Sequence, residues 1–145
     1  MSSEILIQLI IAVLFGAIIG LEREYKGKEA GLQTYSLVSL GSCLLMVIGF
    51  NILSIFSSVP GINFDPLRLI LAVATGIGFI GGGVIIHKEA KVEGITTAAG
   101  LWAAAAIGVA VGVKLYSVAL TALILSTIIL IGFGELEKQI FKNRK

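Results

Sequence analysis

The chain has 145 residues, 57% of them hydrophobic and 14% charged, and carries a formal charge of +2. Soluble domains carry roughly a quarter charged residues, so this composition excludes an ordinary water-soluble fold and makes a bilayer the natural solvent. The small net charge, with basic residues scattered among short loops, excludes a nucleic-acid partner.

A spanning helix needs about 20 mostly apolar residues, and the sequence supplies five such runs in succession. None alternates as a β-barrel strand would. The first, 5–21, lacks the basic leader and small-residue cleavage site of a signal peptide and is expected to remain as a span. Gly16 and Gly20 within it have the spacing that lets helices approach closely. It ends in Glu22, Arg23 and Glu24 at headgroup depth. Glu22 and Glu24 suit a magnesium ion, which takes one or two carboxylates and keeps water. An interfacial ion-pair cluster of Glu22, Arg23, Glu24 and Lys28 is the equal alternative.

The second run, 34–56, holds the only cysteine, Cys43, so no disulfide framework exists and the residue is read as space-filling. The third, 67–86, contains Gly76, Gly78, Gly81, Gly82 and Gly83. Its G-x-G-x-x-G spacing would mark a dinucleotide site only after a strand in a βαβ unit. Inside a spanning helix it predicts packing, or a loosened helix at Gly81–Gly83 whose carbonyls line a polar cavity. His87 follows as the single histidine, without the partners a transition metal needs, and is read as solvated.

The fourth run, 95–113, is rich in Ala and Gly, including Gly108 and Gly112. Thr96 and Thr97 at its start are placed to cap the helix, or to leave unpaired N–H groups facing an anion. The fifth, 117–133, follows after a tight turn, because one helix through both runs would far exceed the roughly 30 Å hydrocarbon core. Its large aliphatic side chains predict a lipid-facing helix. Helices three and four, with the smallest side chains, are expected to form the packed centre. Their glycine pairs serve contacts within a subunit or across a homodimer; the sequence leaves both open.

Short cytoplasmic loops retain Lys and Arg. With the N-terminus outside, Arg23, Lys26, Lys28, Lys88, Lys91, Lys138, Lys142, Arg144 and Lys145 fall inside, nine of the eleven basic residues, and Arg68 and Lys114 outside. The expected fold is therefore all-α: a single transmembrane domain over 1–145, a helix bundle of about five spans with a cytoplasmic C-terminus. No charged residue stands in the middle of a span, which argues against a proton relay or a central ion site. No nucleophile with a base, metal cluster or phosphate loop is present in credible context, so no catalysis is expected.

At three places the chain resembles the MgtC/SapB family of bacterial inner-membrane proteins: Gly20–Glu24 with Gly27, Lys28, Ala30–Leu32 and Thr34; Arg68 with Gly76–Gly83; and Gly94–Trp102 with Ala105–Gly108. Gln33 and Tyr35 stand where the family often has Arg and His, Ala72 where it often has Gln, and Gly100 where it often has Ser. The candidate ligand or partner residues are Glu22, Arg23, Glu24, Lys28, Thr34, Arg68, Thr96, Thr97 and Trp102. The resemblance implies a short form without the family's soluble C-terminal domain, in a bacterial or archaeal plasma membrane. It further implies a link to adaptation to low magnesium and to restraint of other membrane proteins, such as the F-type ATP synthase. No cofactor is implied beyond a Mg2+ ligand; the expected partners are the bilayer, other membrane proteins and a second copy of the chain. The alternative function is a carrier or channel for Mg2+ or another small solute. In either case the three signatures place the working groups in the cytoplasmic half.

Overall fold

A computed structural model describes residues 3–56, 65–88 and 91–141. Five helices are long and apolar enough to cross a bilayer, as the five runs predict. They are α1 (Ser3–Tyr25), α2 (Leu32–Phe56), α3 (Leu67–Val84), α4 (Ile95–Gly112) and α5 (Tyr116–Ile128), the last continued by a π-helical segment (Ile129–Phe133) and α6 (Gly134–Phe141). The end of α1 meets the starts of α2 and α4 at one end of the bundle, through Leu32 N donating to Glu24 and Arg23 to Thr97. The start of α1 meets the end of α4 at the other, through Gln8 and Gly112. Asn63, Lys142, Arg144 and Lys145 lie outside the described residues, as do the side chains of His87, Lys88, Lys91 and Lys138.

Between apolar helices in lipid there is no hydrophobic drive to associate, so close packing of small residues decides the arrangement. On α2 the buried residues Tyr35, Ser39, Cys43 and Val47 recur every fourth position and form one face. Glycines from two helices close on that face. A Cβ on Gly16 of α1 would stand 2.9 Å from both Ser36 Cα and Ser39 Cβ, and one on Gly20 would stand 2.7 Å from Leu32 Cα. On α4, a Cβ at Gly108 would overlap the Ser39 carbonyl, and one at Gly112 would lie 2.7 Å from Met46 Cβ and 2.8 Å from the Cys43 carbonyl oxygen. Ser39 is thus held between α1 and α4 with no exposure. Four of the predicted packing glycines do what the spacing implies, within one subunit.

The third helix departs from expectation. Half of the apolar stretch of α4 is buried (50%) against 11% for α3, so α4 sits at the centre with α1 and α2 while α3 lies at the margin. Among the described residues Gly81 alone of its glycines meets a neighbour, at 3.5 Å from Ala98 Cβ; Gly76, Gly78, Gly82 and Gly83 have nothing there within reach of an added Cβ. A glycine permits close approach but does not compel it, and the residues opposite decide which glycines are used. The helix is also unbroken through Gly81–Gly83, which corrects the loosened-helix alternative. Helix five is mostly exposed, as its aliphatic surface predicts, with 17% of its apolar stretch buried.

The connections shape the site. Helix α1 ends in a Schellman turn, with Lys28 N bonding to Arg23 O at 3.0 Å, Gly27 N to Glu24 O at 3.0 Å, and Gly27 at φ 59°. The α4–α5 turn repeats the pattern, with Leu115 N to Ala110 O at 2.8 Å and Lys114 in the left-handed region at φ 64°. Helix α3 stops at Val84, two residues before the predicted end, and the chain enters a two-stranded antiparallel ribbon of β1 (Ile86–Lys88) and β2 (Lys91–Glu93), with His87 opposite Val92. Gly94, at φ 87°, then turns the chain into α4; its missing side chain leaves room for the Val84 carbonyl.

Candidate ligand site at the Arg23 end of the bundle

Three of the sequence candidates meet around one buried guanidinium. Arg23 is 3% exposed, and its Nη2 donates to Thr97 Oγ1 at 3.1 Å. Thr97, itself 1% exposed, donates a hydrogen bond from its hydroxyl to Glu29 Oε2 at 2.7 Å. From α2, the Tyr35 hydroxyl donates to the Thr97 carbonyl at 3.1 Å. Glu22 lies on the other side of the guanidinium, 3.6 Å from Arg23 Nη1, and takes Lys26 Nζ at 2.7 Å. Lys26 also donates to the carbonyl of Leu130 in the π segment at 3.0 Å. The cluster therefore ties α1 to α4, α2 and the end of the fifth span.

An N–H of its own backbone and then the Thr97 hydroxyl stabilise the ionised Glu29, and Lys28 and Arg23 add to this; together they hold its carboxyl below the ordinary 4.5. At the far end, the bond from Lys114 Nζ to Glu4, at 2.6 Å, raises the ammonium above its usual range.

The two carboxylates proposed for magnesium serve different partners. Residues two apart on a helix point about 200° apart: Glu22 faces Arg23 and Lys26, whereas Glu24 accepts from the Leu32 N–H at 3.0 Å and so caps α2. Among the described residues no group of three or more His, Cys, Asp or Glu side chains converges. The ion-pair alternative holds for Glu22 and Arg23, with Lys26 in the place expected for Lys28. The capping role expected of Thr96 or Thr97 is also corrected: the residue before α4 is Gly94, no side chain caps the helix, and the Thr97 hydroxyl is engaged with Arg23 and Glu29. Among the described residues no side chain bonds the first N–H groups of α4.

Other candidates stand apart. Arg68 is exposed at the opposite end, 3.9 Å from Asp65. Trp102 is 55% exposed on α4. Thr34 lines an apolar groove of about 600 Å³ between α2 and α3, with Val38, Val73 and Ile77. Lys28 and Thr96 are exposed and border the cluster; with Arg23, Glu29, Glu93 and Thr97 they line a cavity of about 600 Å³.

Sequence reasoning missed Glu29, Lys26 and Gln8 as working residues. Gln8, 2% exposed, donates Nε2 to the Val111 and Gly112 carbonyls at 3.2 and 3.0 Å, capping α4 from the other side. A polar residue inside the first apolar run was the available signal. Two departures from the resemblance also explain each other. A Cβ on Gly100 would stand 2.5 Å from the Tyr35 hydroxyl, so the larger residue at 35 occupies what the smaller one at 100 vacates.

The sequence that builds this cluster, with GLERE at the end of α1 and TTAAGLW at the start of α4, is matched over residues 9–139 by a family model described as the MgtC family. The chain belongs to the MgtC family. This MgtC-family chain is 36% identical over 136 residues to "Putative magnesium transporter YhiD" of Escherichia coli (strain K12), covering 94% of the chain and 63% of the relative. It is 43% identical to "Protein SapB" of Bacillus subtilis (strain 168), over 83% of the chain and 53% of the relative. To "Protein MgtC" of Brucella abortus (strain 2308) it is 39% identical, over 77% and 43%. The MgtC-family chain thus spans about half to three fifths of the length of the first relatives it matches. No solved structure matches it.

Proposed function

We propose that this MgtC-family chain is a non-enzymatic plasma-membrane protein that works through helix contacts with other membrane proteins, in the physiology of magnesium supply. The observation that carries the reading is the open face of α3. Gly78 and Gly82, four residues apart on one side of the helix, have nothing within reach of an added Cβ among the described residues, while the glycines of α1 and α4 are used up in the core. Small residues facing lipid leave a surface on which another helix can seat closely. The magnesium link comes from the relatives' names and from the family resemblance. A carrier is the second reading, favoured by the name given to the YhiD relative. Against it, the interior between the two polar ends is mainly aliphatic, and the buried polar side chains there, Ser39 and Ser42, are uncharged hydroxyls.

Two measurements test the reading together. In liposomes with an entrapped magnesium indicator, the purified protein gives no flux above protein-free vesicles. In cells at limiting magnesium, Gly78→Leu and Gly82→Leu are expressed and folded as wild type yet lose its growth phenotype. Magnesium flux that depends on the wild-type protein would overturn the regulator in favour of the carrier.

A further inference from the structure

The cations at the Arg23 end have more donor capacity than the protein uses. Arg23 is 97% buried by its 3% exposure, and its Nε has no hydrogen-bond partner among the described residues. The Lys26 ammonium has three donors, of which the Leu130 carbonyl takes one, with Glu22 beside it as an ion pair at 2.7 Å. The Lys28 side chain is exposed and is felt by Glu29 through its charge, without a direct bond to it.

All three border one cavity of about 380 Å³, within the roughly 300–1,000 Å³ range of small-molecule sites. Thr96, in the uncapped first turn of α4, adds the positive end of a helix dipole. Leu130 and Phe133 add aliphatic and aromatic surface beside the Lys26 ammonium. Among the described residues no carboxylate lines this cavity; Glu22, paired with Arg23 and Lys26, and Glu29, in the neighbouring cavity, offset two of the three charges and leave a net positive field. The apolar surface lies on the π segment, a form of helix that is rare and concentrates at functional sites.

Cationic donors and the start of a helix, with aliphatic and aromatic side chains beside them, match a phosphate attached to an acyl chain. We propose that this cavity binds the phosphate of an anionic phospholipid, with Lys26 and Lys28 donating to its oxygens, Arg23 fixing the positive field behind them, and the acyl chain lying along Leu130 and Phe133. Basic pockets between spanning helices are a general means of holding anionic headgroups. Bound there, the lipid would join α1, α4 and the fifth span at the point where Lys26 already bridges two of them.

The test is native mass spectrometry of the full chain released from detergent, titrated with palmitoyl-oleoyl phosphatidylglycerol, with phosphatidylcholine of the same chains, and with glycerol 3-phosphate and inorganic phosphate. The expected result is selective retention of phosphatidylglycerol, weakened about fivefold for each lysine removed in Lys28→Gln and in Lys26→Gln/Lys28→Gln, and unchanged in Lys114→Gln at the other end. Phe133→Ser weakens the lipid without affecting the soluble phosphates. Lys28 is exposed, so Lys28→Gln alone carries the test if the double variant does not fold. Equal retention of both lipids, or retention of phosphatidylglycerol unaffected by Lys28→Gln, overturns the site. Glycerol 3-phosphate or inorganic phosphate binding as tightly as the lipid overturns the lipid assignment and leaves a site for free phosphate. None of these outcomes bears on α3, which does not border the cavity.

Discussion

Replacing single glycines by alanine separates the helices that form the core from the one that borders lipid. Alanine is favoured over glycine in a helix interior by about 1 kcal/mol. At Gly78 the new methyl meets nothing within 4 Å, so Gly78→Ala keeps that gain. At Gly108 the same methyl overlaps the carbonyl oxygen of Ser39 and lies 2.9 Å and 3.0 Å from Ser39 C and Cα. Those are backbone atoms and cannot rotate away, so α4 must move off α2, and overpacking of this kind costs about 1–3 kcal/mol. The net is a stabilisation of about 1 kcal/mol at position 78 and a loss of about 0–2 kcal/mol at position 108, a gap of about 1–3 kcal/mol between the variants. Unfolding by denaturing detergent, followed by circular dichroism at concentrations where the protein is monomeric, measures that gap directly. If Gly78→Ala proves as damaging as Gly108→Ala, α3 is buried within the subunit and the packing described above is wrong.

Gly100→Ser, which presses on the Tyr35 hydroxyl, is expected to destabilise the bundle by about 1–3 kcal/mol. Tyr35→His, which loses the bond to the Thr97 carbonyl, costs about 1 kcal/mol. The double variant recovers at least about 1 kcal/mol of the sum, and strictly additive melting data would refute the coupling. Because the Glu29 carboxyl is held below 4.5, its contribution is complete above that value and fades as pH falls through the lower folded value. Wild type therefore loses melting temperature on acidification more steeply than Glu29→Gln, by a small and salt-sensitive margin since the group is exposed; parallel curves for the two proteins would remove Glu29 from the account. For orientation, Leu115→Cys in a Cys43→Ser background is modified by an external thiol reagent and Tyr25→Cys is not. The reverse pattern would invert the bundle.

The five spans were legible because lipid demands long apolar runs and nothing else in the chain supplies them. Their ends were less so. Residues 85 and 86 continue the apolar run of helix three, and apolarity does not reveal that Ile85 takes an extended conformation. Among the glycines, spacing alone treats Gly78 and Gly82 like Gly108 and Gly112. Only the face opposite, Ser39 and Cys43 against one pair and open space against the other, tells them apart. At the site, Arg23 and Thr97 were visible as motif residues. Their joint partner Glu29 sits in a loop, and Tyr35 is a full turn inside α2, so both required the fold to be seen as members of the same cluster.

The π segment gives the fifth span a discontinuity of angular phase. Each residue advances a helix by about 100°, so one residue more or fewer between Leu130 and Phe133 would swing Gly134–Phe141 by about that angle around the axis while Lys26 keeps its hold on the Leu130 carbonyl. Exchanges among apolar residues in this stretch leave the phase untouched, whereas an insertion or deletion resets it without altering composition or hydropathy. The length of this segment, more than the identity of its residues, is what aims the last helix.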